Sequence, residues 1–296
     1  MTHTLDLNRR QIDQLINKFI KYKLENTTEH MLFRGKINKT TITIFKTNKV
    51  LIQGTNADQL YKEIALLLKL EITQEPKENN ILPNFNFSII GTDEVGTGDY
   101  FGPIIVAACF VPKESIIELR NIGVMDSKKL SDKKIIEIAP ILINSIIHGV
   151  VLLNNEQYNE VSKTTNMNKV KAIMHNEVIN KILKNDIKYD NIIVDGFTTT
   201  EKYYQYLNNK NNVIQNVKLE INGEDKYIAI AAASIIARYY FIKAIDKLSL
   251  KYHYNLPKGA GKPVDETLLQ IFHDNNKDLL IHIAKLNFKN TTKIKL

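Results

Sequence analysis

Two adjacent carboxylates at the end of an apolar run, followed by a glycine-rich loop, constrain this chain more than any other feature. Asp93 and Glu94 follow the apolar residues 87–90, and the segment 91–103 contains four glycines and a proline. Acidic residues disfavour strands and are rarely buried without a partner, so this position indicates a bound cation. Glycine lets the backbone bend and lets another molecule come close. The segment therefore predicts a divalent metal beside a phosphate or a sugar.

The first 70 residues are predicted to form a small α+β domain. Apolar residues at helical spacing predict an amphipathic helix, and short β-branched runs predict strands. The predicted elements are a helix over 9–23, strands over 31–34, 40–46 and 49–53, and a helix from 55 to 70. Residues 71–85 contain two prolines and have no clear period, so they are predicted to be a linker between this domain and a second one over 86–296.

The remainder of the chain predicts an α/β domain. Two adjacent strands precede an alternation of strands and helices, which implies a mixed sheet with helices on its faces. The predicted strands are 88–92, 104–111, 146–153, 191–194 and 212–219, and the predicted helices are 131–145, 168–184 and 227–250.

Three further acidic residues are candidates for the same site, but each has a structural alternative. Asp195 ends the apolar run 192–194, where ligands gather in open α/β sheets, although a single acid there is also a common helix N-cap. Glu224 and Asp225 precede an alanine-rich helix, and their position alone favours acids that complement the helix dipole.

Asp93 and Glu94 have an alternative too, which is a strand-end pair that caps nearby backbone amides. Neighbouring side chains on a regular strand face opposite ways. One shared site therefore requires either an irregular strand or a metal at the strand edge, and the glycines that follow favour the irregular strand.

The ligand types and the charge narrow the chemistry. Carboxylates without a cysteine set or a paired histidine motif suit Mg²⁺ or Mn²⁺ rather than zinc. The glycine loop matches neither a dinucleotide fingerprint nor a P-loop. A net charge of +8 fits a polyanionic partner but also fits a biased composition. The single cysteine, Cys109, the absence of an apolar signal core and the absence of a membrane-length apolar run predict a cytoplasmic protein without a membrane partner.

Four segments resemble motifs of the type 2 ribonucleases H, in the order of that family. The segment 91–103 resembles its first motif, with the Gly-Thr-Gly of the ribonuclease HIII branch where ribonuclease HII usually has Gly-Arg-Gly. The segment 126–130 resembles the D-S-K motif, and 166–176 resembles a helix pattern of the HIII branch. The segment 231–238 resembles the alanine-rich helix. The resemblance covers about residues 88–290.

This resemblance implies a ribonuclease H-like mixed sheet flanked by helices, preceded by a substrate-binding domain that resembles half of a TATA-binding protein. It implies that four acids are catalytic and hold Mg²⁺ or Mn²⁺, which reverses the helix-dipole interpretation of Glu224 and leaves Asp225 as the alternative. It also implies that loop backbone groups contact the 2′-hydroxyl of the substrate. The acids are Asp93, Glu94, Asp195 and Glu224, and the loop residues are Gly96, Thr97 and Gly98. Lys128 is a candidate phosphate contact or a solvated lysine. Arg238 is a further candidate phosphate contact or simply pairs on its own helix.

The implied activity is endonucleolytic hydrolysis of the RNA strand of an RNA/DNA hybrid by a monomer. Metal-assisted in-line attack of water would leave 3′-hydroxyl and 5′-phosphate ends. One alternative is a ribonuclease HII-like activity that cuts at single ribonucleotides in duplex DNA. Another is a non-catalytic nucleic-acid-binding protein on the same scaffold, against which the clustered acids argue because they repel phosphate without a metal.

Overall fold

The computed structural model describes residues 2–24, 31–68, 70 and 86–294, and the chain divides into two compact units. These units are Met1–Asn79 and Asn80–Leu296. The predicted linker over 71–85 lies outside the described residues.

The first unit is a four-stranded antiparallel sheet with two helices on one face. Its strand order is β1-β4-β3-β2. Both helices pack their apolar sides against Ile42, Ile44 and Ile52 of the sheet. The elements are β1 Thr2–Asp6, α1 Arg9–Phe19, β2 Met31–Ile37, β3 Thr40–Phe45, β4 Lys49–Gly54 and α2 Ala57–Leu67. The α+β prediction for this region is therefore matched by the structure, except that the polar edge strand β1 was not predicted.

The face of this sheet opposite the helices carries basic side chains. Ile42 and Val50 point toward the helices, so alternation directs their neighbours Thr41 and Lys49 to the other face. Lys36 pairs directly with Thr41 across the sheet and lies on the same side. Lys36 and Lys49 are both exposed. The uncovered face of the sheet is thus partly cationic.

The second unit contains a five-stranded mixed sheet in the order β7-β6-β5-β8-β9. The central strand β5 runs antiparallel to β6 and parallel to β8, as the mixed-sheet prediction required. The strands are β5 Ile89–Val95, β6 Ile104–Val111, β7 His148–Leu153, β8 Asn191–Asp195 and β9 Val217–Glu220. The helices are α3 Ile116–Ile122, α4 Asp132–Ser145, α5 Asn155–Val161, α6 Met167–Leu183, α7 Thr200–Leu207, α8 Gly223–Lys226, α9 Ile228–Tyr252, α10 Lys262–His273 and α11 Leu280–Ile283.

Two helices cover the two faces of this sheet and define its cores. The long helix α9 packs on one face, where Ile89 and Ile193 point, and α6 packs on the other, where Ile90 and Val194 point. By length and composition α9 is apolar enough to cross a membrane, but 72% of that stretch is buried inside the protein, as in a core helix.

Gly91 determines how closely α9 approaches the sheet. A Cβ atom at this position would lie 2.4 Å from the backbone of both Ala229 and Ile230. Only a residue without a side chain permits this contact, and the buried alanines that follow continue it. The close approach brings the next part of α9 to the end of β5.

Candidate active site

Asp93 and Asp195 lie side by side at the carboxyl ends of two parallel strands. The parallel ladder between β5 and β8 ends with the pair Thr92 and Val194, and each acid is the next residue along its strand. Both follow the alternation that points Gly91 and Ile193 toward α9, so they share that face. The sequence-based expectation that strand-end acids meet at one edge matches this register.

Glu94 lies on the opposite face from Asp93 because β5 stays regular. The strand remains paired with β6 through Val95, with Glu94 opposite Val106. The prediction that the strand stops at residue 92 was therefore too short, and both acids lie within it. The expectation of an irregular strand is therefore wrong, because pairing with β6 keeps the register regular through both acids.

Asp93 is a buried carboxylate surrounded by other acids. It is 6% exposed and accepts hydrogen bonds from the Ser234 hydroxyl of α9 and from the backbone N–H of Glu94, at 2.7 Å. Burial raises the pKa of Asp93 well above its usual value, and the neighbouring charges of Glu94 and Asp195 raise it further. A cation bound here would relieve both effects.

Glu94 is held by two side chains from α6. His175, which is fully buried, contacts the Glu94 Oε2 atom at 3.0 Å and the Thr92 hydroxyl at 2.7 Å. Lys171 donates to Oε1 at 2.9 Å and lies 4.2 Å from the centre of the Phe197 ring. Burial by itself raises the pKa of Glu94, but the hydrogen bonds and charges of His175 and Lys171 outweigh it and lower the pKa to about 2. Glu94 is thus ionised and fixed in place.

Sequence reasoning assigned no role to Thr92, Lys171 or His175. The last two belong to the helix pattern shared with the HIII branch, and their spacing of four places them on one face of α6. That spacing was the available signal. The spacing did not indicate which residue these side chains contact, because Glu94 is 81 positions away from His175.

The short helix α8 directs Glu224 and Asp225 to different surroundings. Glu224 is 5% exposed and pairs with Lys128, while Asp225 has a side chain that is 39% exposed and pairs with Lys129 at 2.5 Å. Burial raises the pKa of Glu224, and the hydrogen bond from Lys128 opposes this. The charge of Glu224 contributes to the raised pKa of Asp93, so Glu224 lies near the strand-end acids.

Asp195 connects the strand end to α8. Its Oδ1 atom accepts a hydrogen bond from the Gly223 N–H at 2.8 Å, which fixes the start of the helix that carries Glu224. Burial raises the pKa of Asp195, partly offset by this hydrogen bond. The N-cap alternative for Asp195 is wrong, because Thr199 and Asn222 are the N-caps of α7 and α8, although one Asp195 oxygen accepts a hydrogen bond at the start of α8.

The carboxylates of these residues are suitable ligands for a divalent cation, although they are not arranged around one. Within the described residues, no three His, Cys, Asp or Glu side chains are close enough together to ligate a metal. Glu94 and Glu224 each pair with a lysine, Lys171 and Lys128 respectively. The Glu224 Oε2 atom is nevertheless buried without a hydrogen-bond partner. A buried, unpartnered carboxylate oxygen among other acids fits a hard cation such as Mg²⁺ or Mn²⁺.

Arg238 supports the segment that carries Lys128. Its guanidinium donates to the backbone carbonyls of Ser127 and Leu130 and pairs with Asp132 at 2.7 Å. Ser127 also bonds Ser234 at 2.8 Å. Arg238 thus pairs within the protein, but with Asp132 of α4 and not on its own helix as the alternative held. Lys128 keeps a side chain that is 74% exposed at the rim of the acids.

The glycine loop contains glycines of two kinds. Gly96 has φ +97°, and a Cβ atom there would lie 2.2 Å from the Pro103 carbonyl oxygen, so the fold itself requires glycine. A Cβ atom at Gly98 would meet no heavy atom within 4 Å, and Gly98 and Thr97 are exposed. The folded chain therefore leaves the surface at Gly98 open to a molecule from outside.

Comparisons with known proteins agree with one another. The family described as Ribonuclease HII matches residues 90–291, and a domain family of unknown function, DUF3378, matches residues 2–75. Ribonuclease HIII of Streptococcus mutans is 38% identical, over 99% of this chain and 97% of that protein. Ribonuclease HIII of Staphylococcus aureus is 37% identical, over 97% of this chain and 95% of that protein. The crystal structure of Bst-RNase HIII in complex with Mn²⁺ is 33% identical, with a TM-score of 0.70, over 99% of this chain and 97% of that one.

Proposed function

Because the chain belongs to the ribonuclease HIII family, we propose that it hydrolyses the RNA strand of RNA/DNA hybrids at the carboxyl ends of β5 and β8. As a member of this family it is a ribonuclease H endonuclease that uses Mg²⁺ or Mn²⁺. The observation that carries the assignment is the register of the two strands, which brings Asp93 and Asp195 side by side. The buried Glu224, whose charge raises the pKa of Asp93 and whose Oε2 atom has no hydrogen-bond partner, supports it.

In this proposal, acidic residues of the chain bind the cation and neighbouring groups orient their carboxylates. Asp93, Asp195 and Glu224 present oxygens from the α9 side of the sheet, and Glu94 presents its carboxylate from the other side at the strand edge. Ser234 and the Gly223 N–H orient two of these carboxylates. A divalent cation bound by these acids supplies the Lewis acid for in-line attack of water on the phosphodiester, which leaves 3′-hydroxyl and 5′-phosphate ends.

Lys128 and the glycine loop lie where the substrate would approach. Lys128 is a long cation at the rim of the acids, suited to contact a phosphate once Glu224 is engaged elsewhere. The backbone of Gly96, Thr97 and Gly98 is the proposed contact for the 2′-hydroxyl, the group that distinguishes RNA from DNA. The open surface at Gly98 supports this assignment.

The experiment that tests the function is cleavage of a long RNA/DNA hybrid and of duplex DNA with one embedded ribonucleotide, each with and without Mg²⁺ or Mn²⁺. We expect metal-dependent cleavage of the hybrid and much weaker cleavage of the second substrate. Preference for the single ribonucleotide would favour the ribonuclease HII-like activity. Binding of the hybrid without cleavage under any metal would favour the non-catalytic alternative.

Replacing Gly98 with Ala is expected to weaken substrate binding without harming the fold. The new methyl group meets nothing in the free protein, so the melting temperature should be unchanged or slightly higher. The methyl group would obstruct the approach of the RNA backbone, and we expect KM for the hybrid to rise about tenfold, as for the loss of one or two polar contacts. Steady-state kinetics and thermal melting measure the two effects. An unchanged KM would remove Gly98 from the proposed contact.

The first unit is proposed to bind the hybrid through the face of its sheet opposite the helices, as the resemblance to half of a TATA-binding protein implies. We expect Lys36→Ala with Lys49→Ala to raise KM, leave kcat unchanged, and reduce the salt dependence of binding by about one per lost phosphate contact. Lys62→Ala, which removes an exposed charge on α2, is the control. If the control and the double variant bind the hybrid equally well, this face is not the binding surface.

We also propose that the protein is a monomer and that it is located in the cytoplasm. The burial of α9 supports a location away from the membrane. Sedimentation of the purified chain at micromolar concentration measures the oligomeric state, and a dimer would contradict this part.

A further inference from the structure

The C-terminal segment 283–288 holds the downstream half of the glycine loop. Phe101 forms an antiparallel bridge with Ala284. The Gly102 N–H donates to the Ile283 carbonyl at 2.9 Å, and the Lys285 N–H donates to the Tyr100 carbonyl at 2.8 Å. The loop that begins beside the acids is thus fastened to a part of the chain more than 180 residues away.

A fully buried lysine adds a side-chain contact to this backbone pairing. The Lys285 ammonium has no exposed surface and donates to the Asp99 carbonyl at 2.8 Å and to the Gly102 carbonyl. It lies 5.7 Å from the centre of the Tyr158 ring. Burial lowers the pKa of Lys285 to about 7, and the nearby charge of Asp99 opposes this. Its hydrogen-bond acceptors are both backbone carbonyls of the loop.

Helix α5 fixes the segment that carries Lys285. The Asn159 amide donates to the Ala284 carbonyl at 2.9 Å, and its oxygen accepts from the Leu286 N–H at 2.9 Å. Asn155, on the same helix, donates to the Gly102 carbonyl at 2.9 Å. The Gly102 carbonyl therefore accepts hydrogen bonds from both Lys285 and Asn155. The segment that carries Lys285 is itself held by hydrogen bonds to α5.

A lysine in this place is costly for the fold, which suggests that its contacts serve another purpose. Burying an ammonium group without a carboxylate partner is unfavourable, whereas an apolar side chain of similar length would be buried freely. The hydrogen bonds of the Lys285 ammonium go to Asp99 and Gly102, which lie directly after Gly96, Thr97 and Gly98. They fix one end of the short segment whose other end is fixed by β5.

We propose that Lys285 is a positioning residue for substrate recognition: by clamping residues 99–102 it holds the backbone of Gly96, Thr97 and Gly98 in the geometry that receives the RNA strand. The inference rests on the proposed function, because it assumes that this loop contacts the substrate. It assigns to the C-terminal segment a role in substrate binding and none in holding the cation.

The test compares Lys285→Met with Lys289→Met, which alters an exposed lysine four positions further on. Amide hydrogen exchange of residues 96–102, KM and kcat on a long hybrid, and Mn²⁺ affinity by calorimetry are measured on the full chain. For Lys285→Met we expect about tenfold faster exchange in the loop and about a tenfold rise in KM, as for the loss of hydrogen bonds from a charged donor. We expect kcat and Mn²⁺ affinity to change by less than about twofold. Lys289→Met should match the unmodified chain throughout.

The readouts separate the inference from the proposed function. Unchanged loop exchange in a folded Lys285→Met variant would overturn the clamp and leave the proposed function standing. Faster exchange with an unchanged KM would show that the loop does not contact the substrate. That result would overturn the inference and also the proposed contact between the loop and the 2′-hydroxyl. If Lys285→Met does not fold, Lys285→Gln, which keeps an N–H donor at shorter reach, replaces it under the same criteria.

Discussion

Replacing Asp195 with Asn is expected to abolish hybrid cleavage while leaving the fold and hybrid binding largely intact. Asparagine keeps an oxygen that can accept the hydrogen bond from the Gly223 N–H, so β8 and the start of α8 should be preserved. It removes the negative charge at the strand edge where Asp93 and Asp195 meet. Loss of a partner that only orients a metal ligand costs about 10–100-fold, so loss of a ligand should exceed about 100-fold in kcat/KM and weaken Mn²⁺ binding.

The matched control for this prediction is Asp190→Asn. Asp190 is exposed at the other end of β8, where its Oδ2 atom accepts from the Ser88 N–H at 2.7 Å. The same change of charge on the same strand should leave activity and Mn²⁺ affinity unchanged. Cleavage that persists in Asp195→Asn, at a rate close to that of the control, would contradict the site. Loss of hybrid binding together with a lower melting temperature would instead indicate a structural role for Asp195.

Comparing Glu224→Gln with Asp225→Asn is expected to assign the fourth acid. The two substitutions remove one charge each from adjacent residues. Glu224 is buried and has an oxygen without a hydrogen-bond partner, whereas Asp225 pairs with Lys129 and is partly exposed. We therefore expect Glu224→Gln to lower kcat/KM by more than about 100-fold and Asp225→Asn to change it by less than about twofold.

Thermal melting gives this comparison a readout that does not depend on cleavage. A cation that binds only the folded chain raises its melting temperature. We expect Mn²⁺ to raise the melting temperature of Asp225→Asn as it does that of the unmodified chain, and to have little effect on Glu224→Gln. Without metal, Glu224→Gln should be at least as stable as the unmodified chain, because burial of the carboxylate is unfavourable. The reverse pattern would transfer the ligand role to Asp225.

Much of the second unit was predictable because its elements carry strong local signals. The run 104–111 was predicted as a strand and is β6, and Ser131 caps α4 as its position before a helical pattern indicates. Six of its helices were not predicted, namely α3, α5, α7, α8, α10 and α11. The strand expected over 212–219 is only Val217–Glu220, because Asn212 and Asn216 adopt left-handed backbone angles that a strand excludes.

The length of β5 shows why strand bounds were harder to predict. Asp93 and Glu94 disfavour strands, so the sequence indicated an end at residue 92. Pairing with β6 continues to Val95 after the ladder with β8 has stopped. A neighbouring strand thus overrode local preference, and it placed the two acids on opposite faces of a regular strand.

By itself, the sequence determined the family, the mixed α/β architecture and the acids to consider, since these depend on local motifs and on periodicity. Only the tertiary structure decided how the acids are arranged and what holds them. Local sequence could not separate Glu224 from Asp225, because both occupy the same helical turn and differ only in what faces them. The partners of Glu94 come from α6, and the clamp on the glycine loop comes from Lys285 near the other end of the chain. Such contacts arise from packing between distant segments, and no local pattern records them.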